Sequence, residues 1–454
     1  VTHATSSTPS AVPEGPSGQR AAIGIVLLTV FLDMVGFSVL FPVFPQLLDH
    51  YLGREGPDSL IGRLAEALQG FAGEDQNAVA ALFGGVLGSL YSLLQFLFAP
   101  FWGGLSDRIG RRPTLLVTLT GTLTGYVLWI FSGSFALLVV SRLVCGIAAG
   151  NISTASAVIA DVTEGKHRAR GMGLLGMAIG MGFLFGPIVC LLAMPHTASE
   201  PTSWSGGLAL NPFSRPALAA AVLAGINLLW VATRLRETRP PEGRSGEPVR
   251  RLNPFAAASR LAFPGVLRVN AITLLFYAAF SGMEFTLTFL AVERLNYGVS
   301  QNTRIFVFAG LMIAIVQGGV VRRLVPRLGE RLVARIGLVT LVPGFLLIGA
   351  AHSTAVLFAG LFAMAVGSAL AMPSLSALVS RYAPTDRQGL ALGTNRSMGA
   401  LARAIGPIGS SLLYWRVGSA ASYWIGAALL LWPLVLALRL PPVPEEPPAA
   451  GEAA

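Results

Sequence analysis

The chain has 454 residues, 53% of them hydrophobic and only 12% charged, against about 25% charged in an ordinary soluble domain. So few charges cannot cover the surface of a soluble fold, and two cysteines exclude a disulfide scaffold. The composition is that of a chain mostly immersed in lipid, so the net charge of +10 has to be located before a partner is read from it.

A helix needs about 20 mostly apolar residues to cross a bilayer. Residues 1–20 are rich in Pro, Ser and Thr and read as a disordered tail. Six apolar runs follow, at about 22–48, 79–101, 114–132, 135–160, 171–194 and 215–234. The first is too long for a signal peptide and lacks a cleavage pattern. In the outer loop at 49–78, Asp58-Ser59 can cap a short helix with Leu60, Ile61, Leu64, Leu68 and Phe71 largely on one face. That pattern predicts an interfacial helix lying on the outer leaflet. The stretch 236–263 is rich in Arg, Pro and Gly, holds no span and reads as a linker. Six more runs follow, at about 269–290, 303–321, 333–351, 354–380, 391–414 and 419–438. A second tail occupies 441–454. The expected fold is an all-α membrane protein of twelve transmembrane helices in two six-helix bundles, 21–235 and 264–440.

The basic residues orient these spans. With both termini in the cytoplasm, 23 of the 32 Lys and Arg residues fall on that side, six fall outside and three lie within spans. That is the positive-inside pattern. The basic excess is therefore a topology signal, and no nucleic-acid partner is expected. Of the 32, 31 are Arg, a composition that points to a GC-rich bacterium and hence to its inner membrane. Cys145 and Cys190 both lie in apolar runs without metal-ligand spacing and read as packing residues. No cofactor is expected.

The two bundles match at fixed offsets. Gly110 corresponds to Gly329, 219 residues on, and Gly186-Pro187 to Gly406-Pro407, 220 residues on. Parallel repeats around a central cavity suit a transporter.

Charges inside spans are costly and mark functional candidates. At 1.5 Å per residue, Asp33, Arg403, Arg142 and Glu284 fall about 16–22 Å from the cytoplasmic end, near the midplane. Arg396 lies two turns below Arg403. In a structural reading, Asp33 pairs with Arg142 and Glu284 with Arg403, and the pairs only hold helices. In a functional reading, Arg403, with Arg142 or Arg396, binds an anionic substrate group while Glu284 or Asp33 carries a coupling proton. Guanidinium suits carboxylate or sulfonate because its fork is bidentate and stays charged. Asn151, Gln95 and Gln317 are polar groups that could bond substrate, although each is a common helix–helix contact. Tyr277, with Phe37, Tyr91, Phe276 and Phe280, could form apolar walls.

Between the second and third spans stands Gly103-Gly104-Leu105-Ser106-Asp107-Arg108-Ile109-Gly110-Arg111-Arg112-Pro113. This resembles the signature loop of the major facilitator superfamily. Gly104 and Gly110 permit tight turns, and Asp107 can face the N-terminus of the eleventh span. The resemblance implies that Arg111 pairs with Asp161 and latches the cytoplasmic side, with Arg108 and Arg112 beside it. The second copy, Pro326 to Arg331, lacks the acid, so no latch is expected there.

Asp33-Met34-Val35-Gly36 with Pro42 and Pro45 is similar to the first span of the tetracycline and multidrug efflux group. Gly173, Gly182, Gly186 and Pro187 resemble that group's antiporter motif, but Cys190 and Leu191 replace its two final glycines. Ser281 to Leu287, Ile315 to Gly318 and Ser397 to Ala404 are similar to tetracycline-transporter-like organic anion transporters. The resemblance implies proton-coupled antiport or efflux of amphipathic organic anions by a monomer. The alternatives are a multidrug or tetracycline-type exporter of cationic or neutral drugs, and a lipid flippase whose outer helix touches headgroups. An enzyme is not expected.

Overall fold

The computed structural model describes residues 16–72, 76–163, 165–194, 209–239, 263–383 and 388–443, and it is all-helical. The first half carries α1 (Pro16–Ser38), α2 (Phe44–Glu55), α3 (Leu60–Ala72), α4 (Gln76–Ile109), α5 (Arg111–Ile130), α6 (Phe135–Ala148), α7 (Asn151–Val162), α8 (Gly165–Ala193) and α9 (Ser214–Arg234). The second carries α10 (Pro264–Leu295), α11 (Val299–Ile315), α12 (Arg322–Gly349), α13 (Thr354–Tyr382), α14 (Gln388–Val417) and α15 (Ser419–Leu438). The tail before Pro16, most of the linker and the second tail after Val443 lie outside the described residues.

Among the described residues, ten stretches are long and apolar enough to cross a membrane. One of them, Ser300–Gly349, has 50 residues, far more than the 17–25 that one crossing needs. It turns back at Gly329, where φ is 75°. Gly110 makes the matching turn in the first half, with φ 109°. Only glycine adopts this region freely, so the 219-residue offset marks a real repeat of structure. The caps repeat too: Ser134 accepts the Leu137 N–H at 3.3 Å, and Ser353 accepts the Val356 N–H at 3.4 Å.

On the face turned away from the core, large apolar residues stand exposed. On α9 the small residues Ala217, Ala220, Ala221 and Ala224 face inward, while Leu218, Val222, Ile226 and Leu229 are half or more exposed. Small residues let helices approach closely, and the large ones suit lipid.

The repeat extends to the crossing points. A Cβ at Gly186 would stand 2.0 Å from Ser38 Oγ, and one at Gly406 would stand 2.3 Å from Ser281 Oγ. Ser38 Oγ donates to the Gly182 carbonyl at 3.3 Å, and Ser281 Oγ to the Ala402 carbonyl at 3.3 Å. Thus α8 crosses α1 as α14 crosses α10. The halves meet through α4 on α14 and α8 on α11. A Cβ at Gly85 would lie 3.1 Å from Ser411 Oγ, and one at Gly310 only 2.1 Å from Leu184 Cδ1. Both contacts lie toward the end of the molecule that carries α3.

Three sequence expectations change. The α3 helix forms, and Ser59 caps it by accepting the Gly62 N–H at 3.2 Å. It does not lie with its apolar face in the outer leaflet, because Ile61, Ala65 and Leu68 are buried against the protein and α3 packs on α4, α6 and α14. The first run is not one helix either: it breaks into a 3₁₀ turn at Phe41–Val43 before α2. The fourth run breaks between α6 and α7, where Trp102 donates its indole N–H to the freed Ile147 carbonyl at 2.6 Å. Gly150 leaves room for that ring, since a Cβ there would stand 2.4 Å from it.

Candidate functional site

In the first half, Asp33 of α1 is buried and accepts the Asn151 amide N–H at 3.1 Å. Asn151 Oδ1 in turn accepts the Thr118 hydroxyl. The other carboxylate oxygen of Asp33 has no hydrogen-bond partner. Arg142 of α6 lies over the rings of Trp129 (4.7 Å) and Tyr126 (5.8 Å) and donates to Ser141 Oγ at 3.0 Å. Asp33 and Arg142 do not form an ion pair within 4.0 Å. The predicted pair is therefore not made: an amide holds one oxygen of the acid, and aromatic faces hold the cation.

Between the halves lies a cavity lined on one side by Phe37 and Phe41 of the first span and Phe183 of α8. Glu284 of α10 and Arg403 of α14 line the other side, with Phe285, Phe306 and the small residues Gly88, Ser92 and Ser281 completing the wall. Phe37, Phe41 and Phe183 form one aromatic cluster with ring centroids 5.2–5.6 Å apart. Arg403 also lies over the Tyr277 ring at 5.7 Å. Glu284 and Arg403 are half-buried and do not close to an ion pair within 4.0 Å. The predicted second pair is also open, with both groups facing the cavity instead.

The repeat explains this partition. The offset that carries Ser38 to Ser281 carries Phe41 to Glu284, and the offset that carries Gly186 to Gly406 carries Phe183 to Arg403. Two phenylalanines in one half thus stand where a carboxylate and a guanidinium stand in the other. Free space in this conformation is only about 30 Å³ for the centre of a water molecule, enough for water but not for an organic solute.

The other predicted binding residues lie outside that lining. Asn151 is consumed within the first half, and Gln95 is buried on α4. Arg396 reaches across the halves, its Nη2 3.9 Å from where a Cβ of Gly176 would be. Gln317 sits in a π-helical turn, Val316–Val321, a distortion often found at functional sites. Of the antiporter-motif residues, Gly182 and Gly186 serve the α1–α8 crossing and Pro187 lies inside α8. Gly173 is on the same helix, but its surroundings lie outside the described residues.

At the end that carries the signature loop, Arg111 Nε donates to Asp161 at 2.8 Å, Arg111 Nη1 donates to Ser106 Oγ at 2.6 Å, and Asp107 pairs with Arg111 at 2.8 Å. The Arg111–Asp161 contact is as the resemblance implies. Asp107 does not meet the start of α14 among the described residues: its second partner is Arg239, from the linker. Glu237, also from the linker, accepts the N–H of Arg111 at 2.8 Å and of Arg112 at 3.3 Å. A carboxylate there suits the positive end of α5. Arg112 donates to the Ala232 carbonyl at 2.7 Å, Gly104 lies in the last turns of α4, and Arg108 is exposed.

Sequence reasoning missed the second-half counterpart. Glu330 pairs with Arg381 at 3.0 Å, at the positions matching Arg111 and the foot of α7, with the charges exchanged. The signal was an acid one residue after Gly329, where the first half has an arginine after Gly110. Glu237 and Arg239 gave no signal, because their partners lie over 120 residues away.

A sequence profile of the Major Facilitator Superfamily matches residues 26–328 and 320–454. The chain is 34% identical over 465 residues to major facilitator superfamily domain-containing protein 10 of Bos taurus, covering 95% of this chain and 97% of that one. It is 29% identical over 422 residues to the class C tetracycline resistance protein of Escherichia coli, covering 92% and 96%. The crystal structure of the human organic anion transporter MFSD10 (TETRAN) superposes with a TM-score of 0.79 at 33% identity, covering 93% of this chain and all of that one. With this fold, these relatives and a cavity between matched halves, the chain belongs to the major facilitator superfamily of membrane transporters.

Proposed function

We propose that the chain is a proton-coupled antiporter that exports amphipathic organic anions by alternating access. In this reading it acts as a monomer in a bacterial inner membrane, with twelve spans in bundles 21–235 and 264–440 and both termini cytoplasmic. The observation that carries the reading is the two-sided cavity, with phenylalanines from one half facing Glu284 and Arg403 from the other. An amphipathic solute matches it: its apolar body lies against the rings and its acidic group against Arg403. Arg403 stays charged throughout, so it can release an anion only when the cavity opens or a competing charge returns. Glu284 supplies that charge when ionised. Exchange follows if the halves move in only two forms, substrate-bound with Glu284 ionised and empty with Glu284 protonated, so that protonation from outside weakens the Glu284–Arg403 attraction and favours the outward-to-inward return. The test is uptake of an organic anion into proteoliposomes under an imposed pH gradient. The wild-type protein responds to the gradient, while Glu284→Gln retains exchange and loses that response. Wild-type transport indifferent to the gradient would reject proton coupling.

A second reading, export of cationic or neutral drugs, draws on the similarity to tetracycline resistance proteins and makes Glu284 the counter-ion of a cationic substrate. The flippase reading loses part of its support, because Ile61 and Leu68 of the α3 apolar face are buried on protein, although Leu60 is 53% exposed.

A further inference from the structure

The two halves also differ in what covers their matching turns at Gly110 and Gly329. Before α5, Glu237 accepts the N–H groups of Arg111 and Arg112. No described acid outside the turn takes the corresponding place after Gly329. A surface pocket of about 410 Å³ stands there, lined by Glu330, Arg331, Arg335 and Arg381, with Leu328, Leu332 and Val443 at its edge.

Three guanidinium groups share this pocket with one carboxylate. Part of their donor capacity is used: Arg381 pairs with Glu330 at 3.0 Å, Arg335 donates to the Ala437 and Leu438 carbonyls at 3.0 Å each, and Arg331 donates to the Leu440 carbonyl at 2.7 Å. Three guanidinium groups to one carboxylate leave an excess of positive charge at the pocket, which an anion seated there would offset. The flanking residues indicate which anion. Leu328 and Leu332 are 43% and 42% exposed, on either side of the Gly329 turn. A basic pocket with an apolar flank matches the headgroup region of a membrane.

We propose that this pocket binds the phosphate group of an acidic phospholipid, with its acyl chains running along Leu328 and Leu332. Guanidinium forks fit phosphate oxygens in pairs. A free anion would use the arginines but not the leucines.

The test is titration of the full-length detergent-solubilised protein with short-chain phosphatidylglycerol, phosphatidylcholine or inorganic phosphate, read by native mass spectrometry. Phosphatidylglycerol is expected to bind as one saturable adduct, at least about tenfold tighter than either of the others. Arg331→Gln/Arg381→Gln weakens it by a similar factor, whereas Arg304→Gln, exposed at the other end of the molecule, leaves it unchanged. Equal binding of the two lipids by the wild-type protein would overturn the proposal without reference to any variant. So would inorganic phosphate binding as tightly as the lipid. Binding seen only after Glu445→Gln/Glu446→Gln would assign the pocket to the chain's own acids and reject the lipid.

Discussion

Asp33 and Glu284 are carboxylates on matching spans, yet their surroundings give them different work. Asp33 is tied to Asn151, which is tied to Thr118, so three helices share one buried polar chain. Glu284 faces a cavity and a guanidinium that it does not touch. Removing Asn151 leaves a buried acid without its donor, at a cost of about 1–3 kcal/mol. Asn151→Ala should therefore lower the melting temperature of the purified protein. Asp33→Asn in the same chain should recover part of the loss, because a neutral amide is cheaper to bury than a carboxylate. A melting temperature unchanged by Asn151→Ala would show that the bond carries no stability. Sequence alone marked all four midplane charges, since membrane cost singles them out. It could not separate their roles: the amide that bonds Asp33 is 118 residues away, and nothing in its own span announces it.

At the level of helices, the repeat is the most informative feature. Gly110 and Gly329 turn the chain, and Gly186 and Gly406 let α8 and α14 press on α1 and α10. Each was legible as an offset, because a backbone that needs glycine needs it in both copies. The Glu330–Arg381 pair was not, because the repeat keeps the contact and exchanges the signs. Glu330→Arg should lower thermal stability by placing like charges together, and Glu330→Arg/Arg381→Glu should restore it. The coupling is expected to be at most about 1 kcal/mol, because Arg381 is 45% exposed and such pairs are screened. A double variant no more stable than Glu330→Arg alone would mean the pair is incidental. The α3 error has a similar origin. Its apolar stripe was legible, but periodicity cannot say whether lipid or protein covers a stripe.

Across the whole molecule, twofold repetition supplies a frame and departures from it supply chemistry. Helices that match in crossing, capping and turning carry Phe41 and Phe183 in one half where the other carries Glu284 and Arg403, beside Phe285 and Phe306 of that second half. Only a small cavity separates those faces, and in the proposed function a solute enters as the halves part and its two ends meet unlike walls. The central claim is that Arg403 holds the acidic end. Counterflow in proteoliposomes, measured for an anionic amphiphile and a cationic amphiphile of similar size, tests it most directly. Arg403→Ala should reduce exchange of the anion at least about tenfold, the loss of one charge-assisted contact, and leave exchange of the cation within about twofold. Anion exchange undiminished by Arg403→Ala, or a loss equal for both amphiphiles, would contradict it.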